Sequence, residues 1–377
     1  MLVVGAGPAG ACAALRLARA GVETVLLERA RFPRTKVCGE YLSPATLASL
    51  DDLGLLPAVR ARAHALKTLS IAGFGLGPVK MRLPGHGGLA LARETFDSIL
   101  ADAAVNAGAR LVAGTFASIE QAADGVAVTY RDQEGALRTI VARALLGADG
   151  AWSSVAQRCG MAPSQRRSGR WAVGGHLRTP SDGDEVEMHV GAQGYYARNP
   201  LGAGLTNAML VMPRPILDAE ADAVVQQLSD GRRGFEGASL VRRVAVGPLR
   251  YRARSFVRDR VALTGDAAEL LDPFLGQGIA LAVGLSEPAA LAAKRLAEGA
   301  AASSVAREYR AARVAAVGPV RLQATAVDAL LRVPWLRRRA ARRIERRPEL
   351  AEELLALIAG APHGRGVSPR LVWGLLA

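Results

Sequence analysis

The sequence predicts an α/β fold in which a parallel sheet is interleaved with a second, mixed sheet and followed by a helical C-terminal segment. Three observations carry this. Leu2-Val3-Val4 runs into a glycine-rich turn and an Ala/Leu helix, residues of about 161 to 250 alternate apolar and polar, and after Ala300 the pattern becomes helical, with helices over Val327 to Arg347 and Pro348 to Gly360. Half of the 377 residues are apolar and 22% are charged, with 41 Gly and 19 Pro. That composition describes a compact, enzyme-sized chain and excludes disorder, collagen and coiled coil. Three cysteines, Cys12, Cys38 and Cys159, are too few for a disulfide framework. With no leader pattern ahead of the first strand and no apolar stretch of the roughly 18 to 20 residues that span a bilayer, the chain reads as cytoplasmic.

The first element pairs the strand Leu2-Val3-Val4 with Gly5-Ala6-Gly7-Pro8-Ala9-Gly10 and the helix that starts there. Gly5 allows the tight turn, Gly7 lets backbone approach a pyrophosphate, and Gly10 lets the helix pack closely on the strand. A second strand, Glu23 to Leu27, ends in Glu28, eighteen residues beyond Gly10, where a carboxylate accepts ribose hydroxyls. Strand, turn, helix, strand and acid together predict a dinucleotide site, for NAD or FAD.

Two distant segments decide between them. Ala144 to Gly150 is a buried strand ending in Asp149-Gly150, and Val261 to Leu263 leads through Thr264-Gly265 to Asp266, then Pro273, Gly276, Gly278 and a small-residue helix from Ile279 to Ala293. Asp266 is placed to bond a ribityl hydroxyl, with the backbone of Gly278 and Ile279 beside a flavin ring. With these residues the chain resembles the p-hydroxybenzoate hydroxylase-like flavoprotein superfamily and, within it, the geranylgeranyl reductase family, over nearly its whole length. The resemblance implies a Rossmann-like FAD-binding domain of the glutathione reductase type over 1–65, 90–160 and 251–300, a substrate-binding domain over 66–89 and 161–250, and a C-terminal helical region over 301–377. It implies that Gly5, Gly7, Ala9, Gly10, Glu28 and Arg29 bind the adenosine half of FAD and that Ala117 meets the adenine. Lys36, Cys38 and Gly39, within Arg34 to Pro44, fall in the loop near the isoalloxazine. Arg93 reaches the ribityl-phosphate portion, and Asp266, Gly276, Gly278 and Ile279 complete the set.

The chain also departs from parts of that superfamily. Asp149-Gly150-Ala151-Trp152-Ser153-Ser154-Val155 is followed by Ala156 where many hydroxylases carry Arg, and Gly194 to Pro200 stands in place of the tryptophan signature of flavin-dependent halogenases. The first departure is closer to reductase-like members than to aromatic hydroxylases, and the second disfavours halogenation.

The remaining candidates are weighed against plainer roles. Cys38, beside Lys36, could carry a lowered thiol pKa, although steric placement near the ring is the simpler reading. Met188, Met209 and Met212 read as core, and Arg198 as a holder for one acidic head. His64, His86, His176, His189 and His363 lack metal-ligand spacing and read as structural or surface. The net charge of +14 is mostly an arginine bias, since four of the 48 basic residues are Lys. It concentrates in eight arginines against Glu345 between 332 and 347. That run reads as a solvated helix face, or as peripheral membrane contact, and not as a nucleic-acid site.

The expected function is an FAD-dependent oxidoreductase that transfers hydride at a carbon-carbon bond of a small lipophilic substrate. The alternative is a monooxygenase hydroxylating an aromatic or polyketide-like molecule, with halogenase-like chemistry behind it. With one glycine-turn fingerprint in the chain, NAD(P)H bound transiently, another reductant or an electron-donor protein supplies the electrons.

Overall fold

Four short apolar strands are buried because they run side by side in the interior, covered on both faces. In the computed structural model, which describes residues 1–73, 76–122, 124–163, 169–179, 183–191, 194–213, 240–347, 349, 350, 353 and 356, they form the middle of a six-stranded sheet. Its order is Val257–Arg258, Val261–Leu263, Leu145–Gly147, Leu2–Val4, Val25–Glu28 and Arg110–Ala113. All neighbours are parallel except the first pair. Side chains alternate between faces. Val3, Leu26, Leu146 and Ala262 join helices Pro8–Arg19, Arg93–Asn106 and Ser286–Ala297 in one core. Leu2, Val4, Leu27, Leu145 and Leu263 pack on the other side with Phe116, Val126 and Val128 of a three-stranded antiparallel sheet.

The register decides where chemistry can occur. Val4 pairs with Gly147 and with Leu27, and Gly147 pairs with Leu263, so the turns that follow these strands open at the same edge. That carboxyl edge is where ligands bind in open parallel sheets.

The second sheet has seven strands in the order Leu240–Val246, Trp171–Arg178, Leu205–Met212, Gly194–Gly202, Glu185–Gly191, Thr68–Gly73 and Leu76–Arg82. Met188, Met209, Val211, Tyr195 and Leu69 build its core, closed by Phe274, Leu275 and Val327, and Met212 is buried as well.

Two helix boundaries differ from expectation. The helix expected over Ile279 to Ala293 is two helices, Gly278–Gly284 and Ser286–Ala297, where the buried Ser286 hydroxyl donates to the Val283 carbonyl at 2.6 Å. The helix expected from Val327 to Arg347 breaks at Val333 (φ −96°, ψ 106°) between Ala302–Arg332 and Pro334–Arg346, because the residue before proline is driven out of the helical region. Most of the expected helix Pro348 to Gly360, and His363, lie outside the described residues.

Candidate functional site

At the carboxyl edge the glycine turn is built by close backbone approach. A Cβ on Gly10 would stand 1.8 Å from the Gly5 carbonyl oxygen, and one on Gly5, whose φ is +99°, 2.4 Å from the Ala148 oxygen. Larger residues would therefore push the first helix off its strand. Gly7 differs, since its added Cβ would meet only an Arg34 nitrogen at 3.4 Å. The helix Pro8–Arg19 begins there with no side-chain cap, leaving its positive end open to a phosphate.

Glu28 stands at the end of its strand. Its carboxylate accepts from the Ala6 N–H at 2.8 Å and the Ala30 N–H at 3.0 Å, so it also braces the glycine turn. Arg29 is exposed beside it. Ala117 lies half-buried on Thr115–Ala122, just past Gly114, whose N–H donates to the Glu28 carbonyl at 2.8 Å.

The segment Arg34 to Glu40 crosses this edge. An Arg34 guanidinium nitrogen lies 3.0 Å from Asp97, while its Nε sits 3.9 Å from Glu28 and makes no hydrogen bond although buried. Lys36 reaches the second turn, where a Cβ on Gly150 would stand 3.5 Å from its Nζ. Burial pulls the Lys36 ammonium below its ordinary value and pushes the Asp266 carboxyl above its own, and the two charges face each other and partly offset both effects. Arg93, buried, is committed to Asp97 through bonds of 2.7 and 2.8 Å. Beyond Asp266, Gly276 (φ +61°) turns the chain against Tyr41, and Gly278 and Ile279 begin a helix, with open space where a Gly278 Cβ would be. The third turn's Thr264 hydroxyl is buried without a partner.

These residues fit FAD. Open backbone at Gly7, Gly39 and Gly278 and an unsatisfied buried cationic Nε at Arg34 offer what a pyrophosphate and a flat ring require. Glu28 and Asp266 bring carboxylates and Lys36 an ammonium group to the same edge, the donor and acceptor types that sugar and ribityl hydroxyls pair with.

The lowered Cys38 thiol, the less simple of the two readings of that residue, is not found. Burial pushes it up, against the opposing charge of Arg93, and its sulfur accepts from the Glu40 N–H at 3.3 Å, so it serves the loop as a neutral group. Residues that sequence reasoning left out are Asp97, Glu40, Asn199, Asn207 and His176. Glu40 Oε1 accepts from the Arg93 N–H at 2.8 Å, and its Oε2 meets Asn207 Nδ2 at 2.8 Å and His176 Nε2 at 2.6 Å. The spacing of Arg93 and Asp97, four residues apart on a helix, was the one available signal.

The pattern of the FAD binding domain family matches residues 1–234. The chain belongs to that family. It lies within the p-hydroxybenzoate hydroxylase-like flavoproteins that the sequence resembles. A menaquinone reductase of Mycobacterium tuberculosis is 32% identical over 310 residues, covering 74% of this chain and 72% of the relative. A digeranylgeranylglycerophospholipid reductase of Methanothermobacter thermautotrophicus is 28% identical over 296 residues, with the same coverage. The crystal structure of a geranylgeranyl bacteriochlorophyll reductase-like protein from Thermoplasma acidophilum superposes with a TM-score of 0.81 at 20% identity, over 100% of this chain and 98% of that one. This family member has the same fold as that protein.

Replacing Asp266 separates binding from stability. Its folded pKa lies above the ordinary 3.8, so its contribution to folding is full below that value and is lost as pH rises through the raised one. Asp266→Asn is therefore expected to stabilise the FAD-free protein in urea unfolding at neutral pH while weakening FAD affinity about tenfold, the difference between a hydrogen bond to a charged carboxylate and one to a neutral amide oxygen. Unchanged affinity in a fluorescence titration would count against Asp266 as a ligand.

Proposed function

We propose that this FAD-dependent oxidoreductase reduces a carbon-carbon double bond in an isoprenoid or similarly lipophilic molecule. The observation that carries this is the character of the seven-stranded sheet. Met188, Met209, Val211, Tyr195, Phe274 and Leu275 form one buried apolar cluster in it. Two cations in or beside it face carboxylates: Arg198 lies 3.4 Å from Glu187, although its buried Nε makes no hydrogen bond, and Arg170 bridges Asp272 and Asp328 at 2.7 Å each. A charged substrate would find little there to hold it, and the reductases among the relatives carry names of lipophilic substrates, which supports the same reading.

When bound, FAD supplies a hydride donor and acceptor at its ring. The chain does the rest. The Gly5–Gly10 turn with Arg34 holds the phosphates, and Glu28 with Arg29 and the backbone at Ala117 holds the adenosine end. Lys36, Arg93 and Asp266 set the ribityl region, and Cys38, Gly39, Gly276, Gly278 and Ile279 frame the ring. The six-stranded sheet (1–65, 90–160, 251–300) acts as the FAD-binding domain and the seven-stranded sheet (66–89, 161–250) as the substrate domain that excludes water. NAD(P)H or an electron-donor protein is the reductant. Anaerobic incubation of the reduced protein with a polyprenyl quinone or geranylgeranyl lipid is expected to yield product gaining two hydrogens in its isoprenoid chain, located by fragment mass spectrometry after reoxidation of any quinol. A product that forms only with oxygen and gains one oxygen atom would instead establish the monooxygenase alternative.

A lipophilic substrate reaches a cytoplasmic enzyme from a membrane, and the helix Pro334–Arg346 suits that contact. Trp335 is 62% exposed, and Arg338, Arg339, Arg342 and Arg346 follow it, all exposed, at the spacing of one helix face, while Ala340 is buried on the other. Among the described residues no helix is long and apolar enough to cross a membrane. Each arginine near an anionic surface is worth about 1 kcal/mol. The protein is expected to sediment with phosphatidylglycerol-containing vesicles and to lose this when the four arginines become Gln. Equal binding to neutral vesicles, or binding to RNA in place of vesicles, would refute the contact.

A further inference from the structure

Three neighbouring strands of the seven-stranded sheet carry one polar row in register. His176 pairs with Asn207, and Asn207 pairs with Asn199 on the next strand. The row grips three successive residues of the loop at the FAD-binding edge. Asn207 Nδ2 donates to the Cys38 carbonyl at 2.9 Å and to Glu40 Oε2 at 2.8 Å, Asn199 Nδ2 donates to the Gly39 carbonyl at 3.0 Å, and His176 Nε2 meets Glu40 Oε2 at 2.6 Å. Asn207, Asn199 and the Glu40 side chain are buried, and Glu40 holds a left-handed φ of +55°. A non-glycine residue keeps that conformation only where its surroundings over-determine it.

We infer that His176, Asn207 and Asn199 are positioning residues for the cofactor, acting through the Cys38–Glu40 loop. The part of the site closest to the ring is thus held by the substrate sheet and not by the dinucleotide-binding sheet. FAD affinity then depends on residues far in sequence from every glycine of the fingerprint. Because Glu40 Oε1 binds the Arg93 N–H and Arg93 binds Asp97, one carboxylate joins the two sheets across the site. This rests on the reading that FAD occupies the carboxyl edge.

The test is FAD titration of the cofactor-stripped protein by flavin fluorescence, with the visible spectrum of the bound flavin as second readout. His176→Ala is expected to weaken FAD about tenfold and shift the flavin bands, through loss of a hydrogen bond to a charged group. His176→Gln is expected to bind within about twofold of wild type, because an amide nitrogen can still donate to Glu40 in place of the ring N–H. His189→Ala, a histidine of the same sheet that faces Glu187, serves as control and is expected to bind FAD normally. Normal affinity in His176→Ala, or equal losses in the Gln and Ala variants, would overturn the inference in favour of simple packing. Should His176→Ala fail to fold, Asn199→Ala replaces it: weaker FAD binding supports the inference and unchanged binding overturns it. Wild-type protein that does not bind FAD would overturn the site reading itself.

Discussion

The fully buried carboxylate of Asp97 holds two arginines, and the rest of the site is arranged around that charge. Arg93 reaches it from the same helix at 2.7 Å and Arg34 from the crossing loop at 3.0 Å. A buried pair contributes little net stability over an apolar alternative, but removing one partner leaves an uncompensated charge and costs roughly 3–5 kcal/mol. The arrangement therefore specifies position more than it stabilises. It pins the loop to the helix, and through the Arg93 N–H it sets Glu40 where the second sheet can seize it.

Arg34 and Arg93 balance Asp97 and Glu28 in charge at this edge, yet Arg34 Nε is buried without a hydrogen-bond partner. Such a site is poorly satisfied by protein alone. An anionic ligand would complete the hydrogen bonding and, by binding the folded state, stabilise it. The same logic applies at Lys36 and Asp266, where burial weakens both charges. Folding keeps groups at this edge that serve it poorly, as expected where a site is built for something else to bind.

How much was legible in the sequence follows from how local each signal is. The glycine turn, Glu28 and the Asp266 segment could be read because each lies within one strand and the turn after it, and strand register then brings their ends together. His176, Asn207 and Asn199 could not, because strand partners 8 to 31 residues apart become neighbours only through pairing that alternation alone leaves open. Cys38 is a related case: Lys36 makes a lowered thiol conceivable beside the simpler steric reading, and burial, invisible in the sequence, decides against the lowered thiol. The break at Val333 was readable from Pro334 and was passed over because the arginine pattern runs on through it.

On this reading FAD is held by one site made of the glycine turn, the Arg34–Glu40 loop and the Asp266 segment together. Hydrogen exchange of the FAD-free and FAD-bound protein, read by mass spectrometry of peptides, tests it directly. FAD is expected to protect amides in 5–11, 34–40 and 264–280 in concert, with further protection in 199–207 transmitted through the loop. Protection confined to 5–11, with the loop and the Asp266 segment exchanging as before, would contradict it.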